Sequence, residues 1–364
     1  MTRDPDHLLP SATPVQLIDE HGQRCESGSA VGADLPSHEA LLDAYAALVV
    51  GRRFNEQAYA LVRQGRLAVY PSSHGQEACQ VAAAQVLDET DWLFPTYRDA
   101  VAMVTRGVDP VATLTLFRGE WHTGYDAPAL RVAPQTTPLA TQLLHAVGVA
   151  HAARLRSEPT VVMALCGDGA TSEGDFAEAL NFAAVFRTPV VFLVQNNQYA
   201  ISVPLSRQSA APSLAHKGVG HGVPSERVDG NDVAALLAVL TDAVGRARNG
   251  EGPQLVEAHT YRVAAHTNAD DPGRYRDSSE VDEWIARDPL TRVATYLRSA
   301  GALDDARQVE FDTAAERVAT ALRIDTAPQK DPGRLFAQVF ASPTPQLQEQ
   351  AALVRDEMSR EVDV

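Results

Sequence analysis

The spacing of apolar residues changes along the chain, and each change marks a different kind of element. Helical spacing, with apolar residues three or four positions apart, begins at Leu41 and continues through Leu42, Tyr45, Leu48 and Val49. A second helix is predicted over residues 76–86, after the small polar loop 72–75. The first part of the chain is therefore predicted to contain two helices.

The middle third alternates between strand and helix patterns. The runs VVMALC at 161–166 and VVFLV at 190–194 are short and continuously apolar, which is typical of buried strands. Between them, residues 172–186 carry one apolar helical face, and Ser172 is placed to cap that helix. A strand, a helix and a strand in succession predict a βαβ unit with two parallel strands that are adjacent or nearly so.

Later segments extend the same pattern. Residues 254–262 predict a further strand, preceded by an amphipathic helix over 236–248 that ends at Asn249-Gly250. From about residue 280 the chain is helical and charged, as expected of an outer layer. Together these elements predict an α/β fold with a doubly wound, mostly parallel sheet flanked by helices.

The two ends of the chain differ from this middle part. Residues 1–36 are interrupted by prolines and predict an extended N-terminal arm. Residues 37–325 are predicted to form the α/β domain, and residues 326–364 a helical C-terminal tail.

The composition argues against several classes of function. The chain has 31 Lys and Arg residues against 47 Asp and Glu, a net charge of −16, so it lacks the basic excess that nucleic-acid binding requires. The N-terminus is polar and no apolar run approaches the ~20 residues of a membrane span, so we expect a cytoplasmic protein with no membrane partner. Cys25, Cys79 and Cys166 are far apart and predict neither a zinc site nor a disulfide framework.

Two polar motifs follow directly after the two central strands. Residues 167–169 are Gly-Asp-Gly, in which glycine lets a bulky phosphate approach the start of a helix. A carboxylate beside a phosphate requires a cation between them. The Asn-Asn motif ends at Asn197, 29 positions after Asp168 (197 minus 168), and opens on the same edge of the sheet. Asp168, the Asn197 amide oxygen and a backbone carbonyl near Tyr199 are hard oxygen ligands of the kind that Mg²⁺ prefers.

Each motif alone is more often a turn than a metal site, and their conjunction around a strand–helix–strand unit is what favours a metal site. A Rossmann nucleotide site needs Gly-x-Gly-x-x-Gly after a strand, and neither that run nor a Walker lysine occurs in the sequence. An independent nicotinamide-dependent dehydrogenase is therefore disfavoured.

The string GDGATSEGDFAEALNFAAVFRTPVVFLVQNNQYAIS, which begins at Gly167, resembles the thiamine diphosphate motif in alpha subunits of heteromeric 2-oxo acid dehydrogenases. These subunits belong to the first, decarboxylating component of the branched-chain and pyruvate dehydrogenase complexes. Further strings occur in the family's order: SSHGQEA (72–78), FPTYRD (94–99), TPLATQLLHAVG (137–148), DGND (229–232) and YRVAAHTNADDPGRYR (261–276). The resemblance covers roughly residues 40–300 and implies a thiamine-diphosphate-binding fold for the domain 37–325.

Position by position, the resemblance implies roles for individual residues. Asp168 and Asn197 match the family's metal ligands, and Tyr199 is expected to give a main-chain oxygen to the same Mg²⁺. Tyr97 and Arg98 match the pair that binds the diphosphate, a task that suits a guanidinium because it donates two parallel hydrogen bonds.

Further contacts with the cofactor are implied on the same basis. Leu139 matches the bulky residue that holds thiamine diphosphate bent, although without the resemblance it would be taken for a core leucine. Backbone contacts are expected from Thr137, Gly169 and Ala170.

The loop after the predicted strand 254–262 carries the remaining site residue. His266 matches the family's loop histidine, expected to orient the substrate carboxylate or to assist acyl transfer. Arg262, Arg274 and Arg276 are expected to order this loop when the cofactor is bound. Thr267 follows where some relatives carry a phosphorylatable serine, and we expect it not to be regulated.

The substrate and the partners are also expectations. Val69 and Tyr70 are expected to line the acyl pocket, and the room left by a valine favours branched-chain 2-oxo acids of the 2-oxoisovalerate type over pyruvate. The resemblance implies a beta subunit in an α₂β₂ heterotetramer, which supplies a carboxylate missing here, and a lipoyl-bearing acyltransferase core. The sequence also leaves open an acetoin dehydrogenase and a catalytically silent scaffold. Loss of Asp168, Asn197 or His266 would mark the scaffold, and all three are present.

Overall fold

The chain divides into two compact units, Met1–Arg323 and Ile324–Val364. The computed structural model describes residues 5–25, 33–119, 123–324, 333–337 and 339–362. The boundaries proposed above for the arm, the domain and the tail stay predictions.

A parallel sheet forms the centre of the first unit. The strands of the described residues are β1 (Trp92–Phe94), β2 (Val162–Gly167), β3 (Val190–Asn196), β4 (Tyr199–Ala200), β5 (Val203–Pro204), β6 (Ser225–Asp229) and β7 (Gln254–His259). Five of them pair in the order β1-β2-β3-β7-β6, all parallel, while β4 and β5 form a short antiparallel pair. The two strands predicted at 161–166 and 190–194 are confirmed as parallel neighbours, whereas the strand predicted over 254–262 ends at His259.

Helices surround this sheet in the first unit. They are α1 (His38–Arg63), α2 (Glu77–Gln85), α3 (Ala100–Thr105), α4 (Pro110–Thr113), α5 (Ala127–Leu130), α6 (Thr141–Leu155), α7 (Gly174–Phe186), α8 (His216–Gly220), α9 (Val233–Arg248), α10 (Ser278–Ile285), α11 (Pro289–Ser299) and α12 (Asp305–Ile324). The helices predicted from residue 41, over 76–86 and over 236–248 correspond to α1, α2 and α9, so these predictions are confirmed.

Side chains of the central strands alternate between two apolar cores. In β2, Met163 and Leu165 pack into the core that contains residues of α1, α2 and α9. Val162 and Ala164 pack into the core on the other face, with α6 and α7. Successive side chains of a strand point to opposite faces, so a continuously apolar strand has to be covered on both. The predicted mostly parallel sheet flanked by helices is confirmed.

The helix start predicted at Ser172 is wrong. Ser172 ends a 3-10 helix, Asp168–Ser172, and α7 begins at Gly174 with Glu173 at its N-cap and no side-chain cap hydrogen bond. The extra turn forms because the Thr171 hydroxyl donates to the Asp168 carbonyl at 2.8 Å, which holds the chain in a tight turn before the α-helix starts.

The described N-terminal residues lie along the edge strand β6. The backbone N–H of Val15 donates to the Arg227 carbonyl at 2.8 Å, as in a parallel bridge. Asp232, the N-cap of α9, accepts from the backbone N–H groups of Leu17 and Ile18 at 2.7 and 2.8 Å. These contacts attach this segment to the edge of the sheet.

The second unit contains α13 (Arg334–Ala337) and α14 (Pro345–Val362). Within the described parts of both units, no helix combines the length and the apolar character that crossing a membrane requires.

Candidate functional site

A cavity of ≈ 400 Å³ lies at the carboxyl ends of β2 and β3, the edge where ligands bind in parallel α/β sheets. The predicted site residues on its wall are Tyr97, Arg98, Leu139, Asp168, Gly169, Ala170, Asn197, Tyr199 and His266. A larger cavity of ≈ 860 Å³ lies between the N-terminal residues and α9, and it contains none of these residues. The chemistry-bearing residues therefore converge on the smaller cavity.

Asp168 is a buried carboxylate at the first position after β2, with 1% of its surface exposed. Its Oδ2 accepts one side-chain hydrogen bond, from Gln208 Nε2 at 2.7 Å. Burial raises the pKa of Asp168, because no described Lys, Arg or His forms an ion pair with it and Arg262 acts only from a distance. A buried carboxylate without a cationic partner is unfavourable in isolation.

Asn197 and Tyr199 face the same cavity from the end of β3. Asn197 Nδ2 donates to Gln76 Oε1 at 2.9 Å, and its Oδ1 accepts from the Tyr199 backbone N–H at 3.2 Å. The Tyr199 carbonyl meets Arg262 Nη1 at 3.4 Å. Register explains this proximity, because Gly167 pairs with Gln195 and both strands end together.

These oxygens can hold a divalent cation. The described residues contain no group of three or more His, Cys, Asp and Glu side chains placed as metal ligands. Asp168, the Asn197 amide and the Tyr199 carbonyl instead offer one charged and two neutral hard oxygens, which fits Mg²⁺ better than Zn²⁺. A cation beside Asp168 would also compensate its buried charge, so the residues fit the predicted ion.

Two buried guanidinium groups, those of Arg98 and Arg262, also line this cavity. Arg98 donates through Nη1 to the Ser72 carbonyl at 2.9 Å, and Arg262 donates through Nη2 to the Ile201 carbonyl at 2.7 Å. Neither forms an ion pair with a carboxylate in the described part of the chain, and the buried Nε of Arg262 has no hydrogen-bond partner there. Paired cations without anions, one with an orphaned N–H, fit a multiply charged anion such as a diphosphate.

His266 lies between these two arginines. Its Nδ1 is 3.0 Å from Arg98 Nη2 and 3.5 Å from Arg262 Nη1. Burial and the two guanidinium charges lower the pKa of His266 to about 4. Arginine is only a donor, so Nδ1 accepts and the neutral ring carries its proton on Nε2. The ring is therefore a neutral hydrogen-bond donor at neutral pH.

The loop that carries His266 is tied down by its own polar residues. Asp270 accepts from the His266 backbone N–H at 2.8 Å and from the Tyr275 hydroxyl at 2.5 Å. Arg276 donates to the carbonyls of Arg262 and Val263. Arg262 and Arg276 thus already order the loop; the expected coupling of this order to the cofactor stays a prediction.

The other predicted cofactor contacts differ in where they lie. Leu139 is 43% exposed on the cavity wall, with Gly169 and Ala170 on the same wall. Thr137 does not line the cavity, although Thr136 and Pro138 on either side of it do.

Val69 and Tyr70 lie outside the cavity. Tyr70 is buried in a separate apolar cluster, against which Val69 packs, and its hydroxyl donates to Asn55 Oδ1 at 2.6 Å. Their assignment to an acyl pocket stays a prediction, and in this structure the Tyr70 side chain points into the core.

Several residues on the cavity wall were not assigned to the site from the sequence. Among them are Gln76, Gln195, Gln208 and Arg262. Gln195 and Arg262 carried a usable signal, because each lies at or just after the end of a predicted strand on the same edge of the sheet. Gln76 lies in the matched string SSHGQEA at the start of a predicted helix, although no role was assigned to it. Gln208 carried no signal, since it lies in a loop whose position only the fold determines.

Comparison with known proteins identifies relatives of the whole chain. Residues 45–331 match the family described as the dehydrogenase E1 component. The chain is 47% identical over 363 residues to the 3-methyl-2-oxobutanoate dehydrogenase subunit alpha of Mycobacterium tuberculosis, an alignment that covers 99% of this chain and 98% of the relative. It is 36% identical over 316 residues to the pyruvate dehydrogenase E1 component subunit alpha of Acholeplasma laidlawii, covering 86% and 92%. The corresponding subunit of Staphylococcus aureus is 34% identical over 352 residues, covering 95% and 94%.

Proposed function

The chain belongs to the dehydrogenase E1 component family, and from that premise we propose that it is the alpha subunit of a branched-chain 2-oxo acid dehydrogenase. The reaction is the thiamine-diphosphate-dependent oxidative decarboxylation of 3-methyl-2-oxobutanoate (2-oxoisovalerate), with transfer of the acyl group to a lipoyl-lysine. One observation carries the proposal: a buried carboxylate without a cation faces two buried guanidinium groups without anions in a single cavity. A magnesium diphosphate compensates both.

The substrate class is supported by the relatives. The relative named for 3-methyl-2-oxobutanoate is 47% identical, against 36% and 34% for those named for pyruvate, and it aligns with almost the full length of both chains. Pyruvate is therefore the second candidate, followed by acetoin. A silent scaffold is disfavoured, because Asp168, Asn197 and His266 all face one cavity.

Within this proposal, Mg²⁺ is held by Asp168, Asn197 and the Tyr199 carbonyl, and the diphosphate by Arg98 with Tyr97. Thiamine diphosphate, when bound, supplies the nucleophilic carbon and the electron sink for loss of CO₂. Leu139, with backbone groups of Thr137, Gly169 and Ala170, holds the cofactor's position.

His266 and Arg262 complete the proposed site toward the substrate. The neutral His266 ring donates a hydrogen bond from Nε2 to the substrate carboxylate or to the departing acyl group, and Arg98 holds the ring's orientation through Nδ1. Arg262 stabilises negative charge on the same wall, since its Nε–H is free to donate. Both arginines are buried, so water screens their charges little.

The proposed partners are a beta subunit in an α₂β₂ assembly and a lipoyl-bearing acyltransferase core. The beta subunit supplies the acid that the cofactor's aminopyrimidine requires and that this chain does not provide in the proposed arrangement.

The cofactor proposal is tested by changing Asp168→Asn in the chain co-purified with a beta subunit. Removing the carboxylate charge takes away the anionic metal ligand, so Mg²⁺-dependent affinity for thiamine diphosphate should fall by more than about 100-fold in calorimetric titration. Asp91→Asn is the matched control. Asp91 is also a fully buried aspartate, but it pairs with Arg248 at the opposite edge of the sheet. An unchanged affinity in Asp168→Asn would remove the metal site from the proposal.

A further inference from the structure

A series of buried side chains runs from Asn197 through the cavity wall to Asp99. Asn197 Nδ2 donates to Gln76 Oε1 at 2.9 Å, Gln76 Nε2 to Gln195 Oε1 at 3.1 Å, and Gln195 Nε2 to Asp99 Oδ1 at 2.7 Å. Asp99 is 0% exposed, Gln195 1%, Gln76 2% and Asn197 6%. Two amides in series, Gln195 and Gln76, thus connect the buried Asp99 with the Asn197 amide at the cavity.

The surroundings of Asp99 fix the direction of this series. Its Oδ2 accepts from both the backbone N–H and the hydroxyl of Thr96, each at 2.7 Å. The Thr96 hydroxyl also accepts from the Arg98 N–H at 3.1 Å, and it donates its own proton to Asp99 Oδ2. Every neighbour of the Asp99 carboxyl therefore donates, and a proton on either oxygen would face a donor. Burial raises the pKa of Asp99, while these hydrogen bonds favour its ionised form.

An acceptor at one end imposes an orientation on every amide that follows. Gln195 has to present its NH₂ to Asp99, which leaves its oxygen for Gln76; Gln76 then presents its oxygen to Asn197. Gln80 supports the same direction, because its Nε2 lies 3.4 Å from Gln195 Oε1 while donating to the Arg98 carbonyl. The last amide, Asn197, donates its NH₂ to Gln76, which leaves its oxygen, and not its NH₂, on the side of the cavity.

We propose that Asp99 is a positioning residue that, through Gln195 and Gln76, presents the Asn197 oxygen rather than its NH₂ group to the bound cation. The inference rests on the proposed function, since the cation is the Mg²⁺ of the proposed cofactor. A second contact acts in the same sense, because the Tyr199 N–H donates to Asn197 Oδ1 at 3.2 Å. The experiment has to separate the buried series from this local turn.

The change Asp99→Asn reverses the series without altering any residue of the turn, whose Tyr199 N–H then opposes the reversal at Asn197. The Thr96 backbone N–H cannot rotate, so the new amide turns its oxygen to Thr96 and its NH₂ to Gln195. Gln195, Gln76 and Asn197 then reverse in succession, and an NH₂ group faces the cation. Mn²⁺ affinity, measured by electron paramagnetic resonance on the α–β assembly with thiamine diphosphate, should fall about 10- to 100-fold.

A second background separates orientation from charge. In Gln76→Glu the carboxylate only accepts, so it receives the Asn197 NH₂ whichever way Gln195 is turned. Adding Asp99→Asn to Gln76→Glu should therefore lower Mn²⁺ affinity only through the long-range effect of one lost charge. That decrease should be far smaller than the decrease that Asp99→Asn causes when Gln76 is present. The comparison is a double-mutant cycle, so any direct effect of the new carboxylate on the metal cancels. Asp91→Asn again serves as a control, expected to lower stability without weakening Mn²⁺ binding.

Each outcome decides the proposal. The proposal is supported if Asp99→Asn causes a large loss of Mn²⁺ affinity in the parent and this loss disappears in the Gln76→Glu background. An equal loss of Mn²⁺ affinity in both backgrounds means that only the charge of Asp99 acts. No loss in either background means that the Tyr199 N–H alone is sufficient to orient Asn197. Both results overturn the proposed role of Asp99 while leaving the proposed function in place. A parent assembly that shows no metal-dependent binding of thiamine diphosphate overturns the series and the proposed function together.

Discussion

At the scale of single residues, the site is governed by charges that burial leaves uncompensated. Arg98 and Arg262 both approach His266 Nδ1, and two positive groups beside a buried ring favour its neutral form. Asp168 is the opposite case, a carboxylate whose pKa burial raises. The site therefore combines a neutral donor, two cations and one anion, and in our proposal it is completed by a ligand that carries both a metal and phosphates.

The neutral His266 should be visible in the pH dependence of stability. Its pKa is lowered to about 4 in the folded chain, against about 6.5 when unfolded, so the unfolded chain binds its proton first as the pH falls. The free energy of unfolding should then decrease between about pH 6.5 and pH 4 in part because of this group. His266→Gln removes that part, so urea denaturation of the variant should show a smaller loss over this range.

Other histidines contribute to the same range but do not affect the comparison. Burial also lowers the pKa values of His74 and His259, and both residues are present in the parent chain and in the variant. Identical pH profiles for the two proteins would show that His266 titrates normally.

At the scale of elements, the loop before α2 and the segment after β7 are packed backbone against backbone. The Val263 N–H donates to the His74 carbonyl at 3.1 Å, and the Thr260 hydroxyl donates to the Gly75 carbonyl at 2.6 Å. Gly75 has a φ of +97°, and a Cβ added to it would lie 2.1 Å from the Tyr261 carbonyl oxygen. This contact joins the element that carries Gln76 to the one that carries Arg262 and His266.

Two glycine substitutions should therefore act in opposite directions. Gly75→Ala places a methyl group against the Tyr261 carbonyl oxygen, at a positive φ that is unfavourable for alanine. It should therefore lower the free energy of unfolding by about 2–5 kcal/mol. Gly245→Ala lies inside α9 with nothing within 4 Å of the added Cβ, and should raise it by about 0.5–1 kcal/mol. Both values can be read from chemical denaturation. A Gly75→Ala chain as stable as the parent would show that the two segments can separate without cost.

At the scale of the whole molecule, the site is one side of a larger assembly in our proposal. Leu139, Ile201 and Val203 lie on the cavity wall and are 43%, 56% and 42% exposed. Exposed apolar side chains beside a polar site are typical of a surface that another protein covers. This exposure supports the proposed beta subunit.

Turnover should depend on that partner. We expect the chain alone to give no decarboxylation of 2-oxo acids with Mg²⁺, thiamine diphosphate and an artificial electron acceptor, and the co-expressed α–β pair to be active. Branched-chain 2-oxo acids should give a higher kcat/KM than pyruvate. Full activity of the chain alone would contradict the shared site, and a preference for pyruvate would reassign the substrate.

The sequence by itself determined the family and the framework of the site. Apolar runs and helical spacing predicted β2, β3 and the helix between them, because periodicity reports local burial directly. The helical crossover of a βαβ unit then made these strands parallel and placed Asp168 and Asn197 at one edge. The motif strings identified the family, which the full-length relatives confirm.

Only the tertiary structure decided which side chains complete that edge. Gln76 and Gln195 are 119 positions apart and meet through packing, and Arg98 reaches His266 across 168 positions. Tertiary structure also decided that Tyr70 packs into the core and that Ser172 ends a 3-10 helix instead of capping the α-helix that follows. Local spacing records which face of an element is buried, but the partners of a polar side chain depend on where distant segments come to lie.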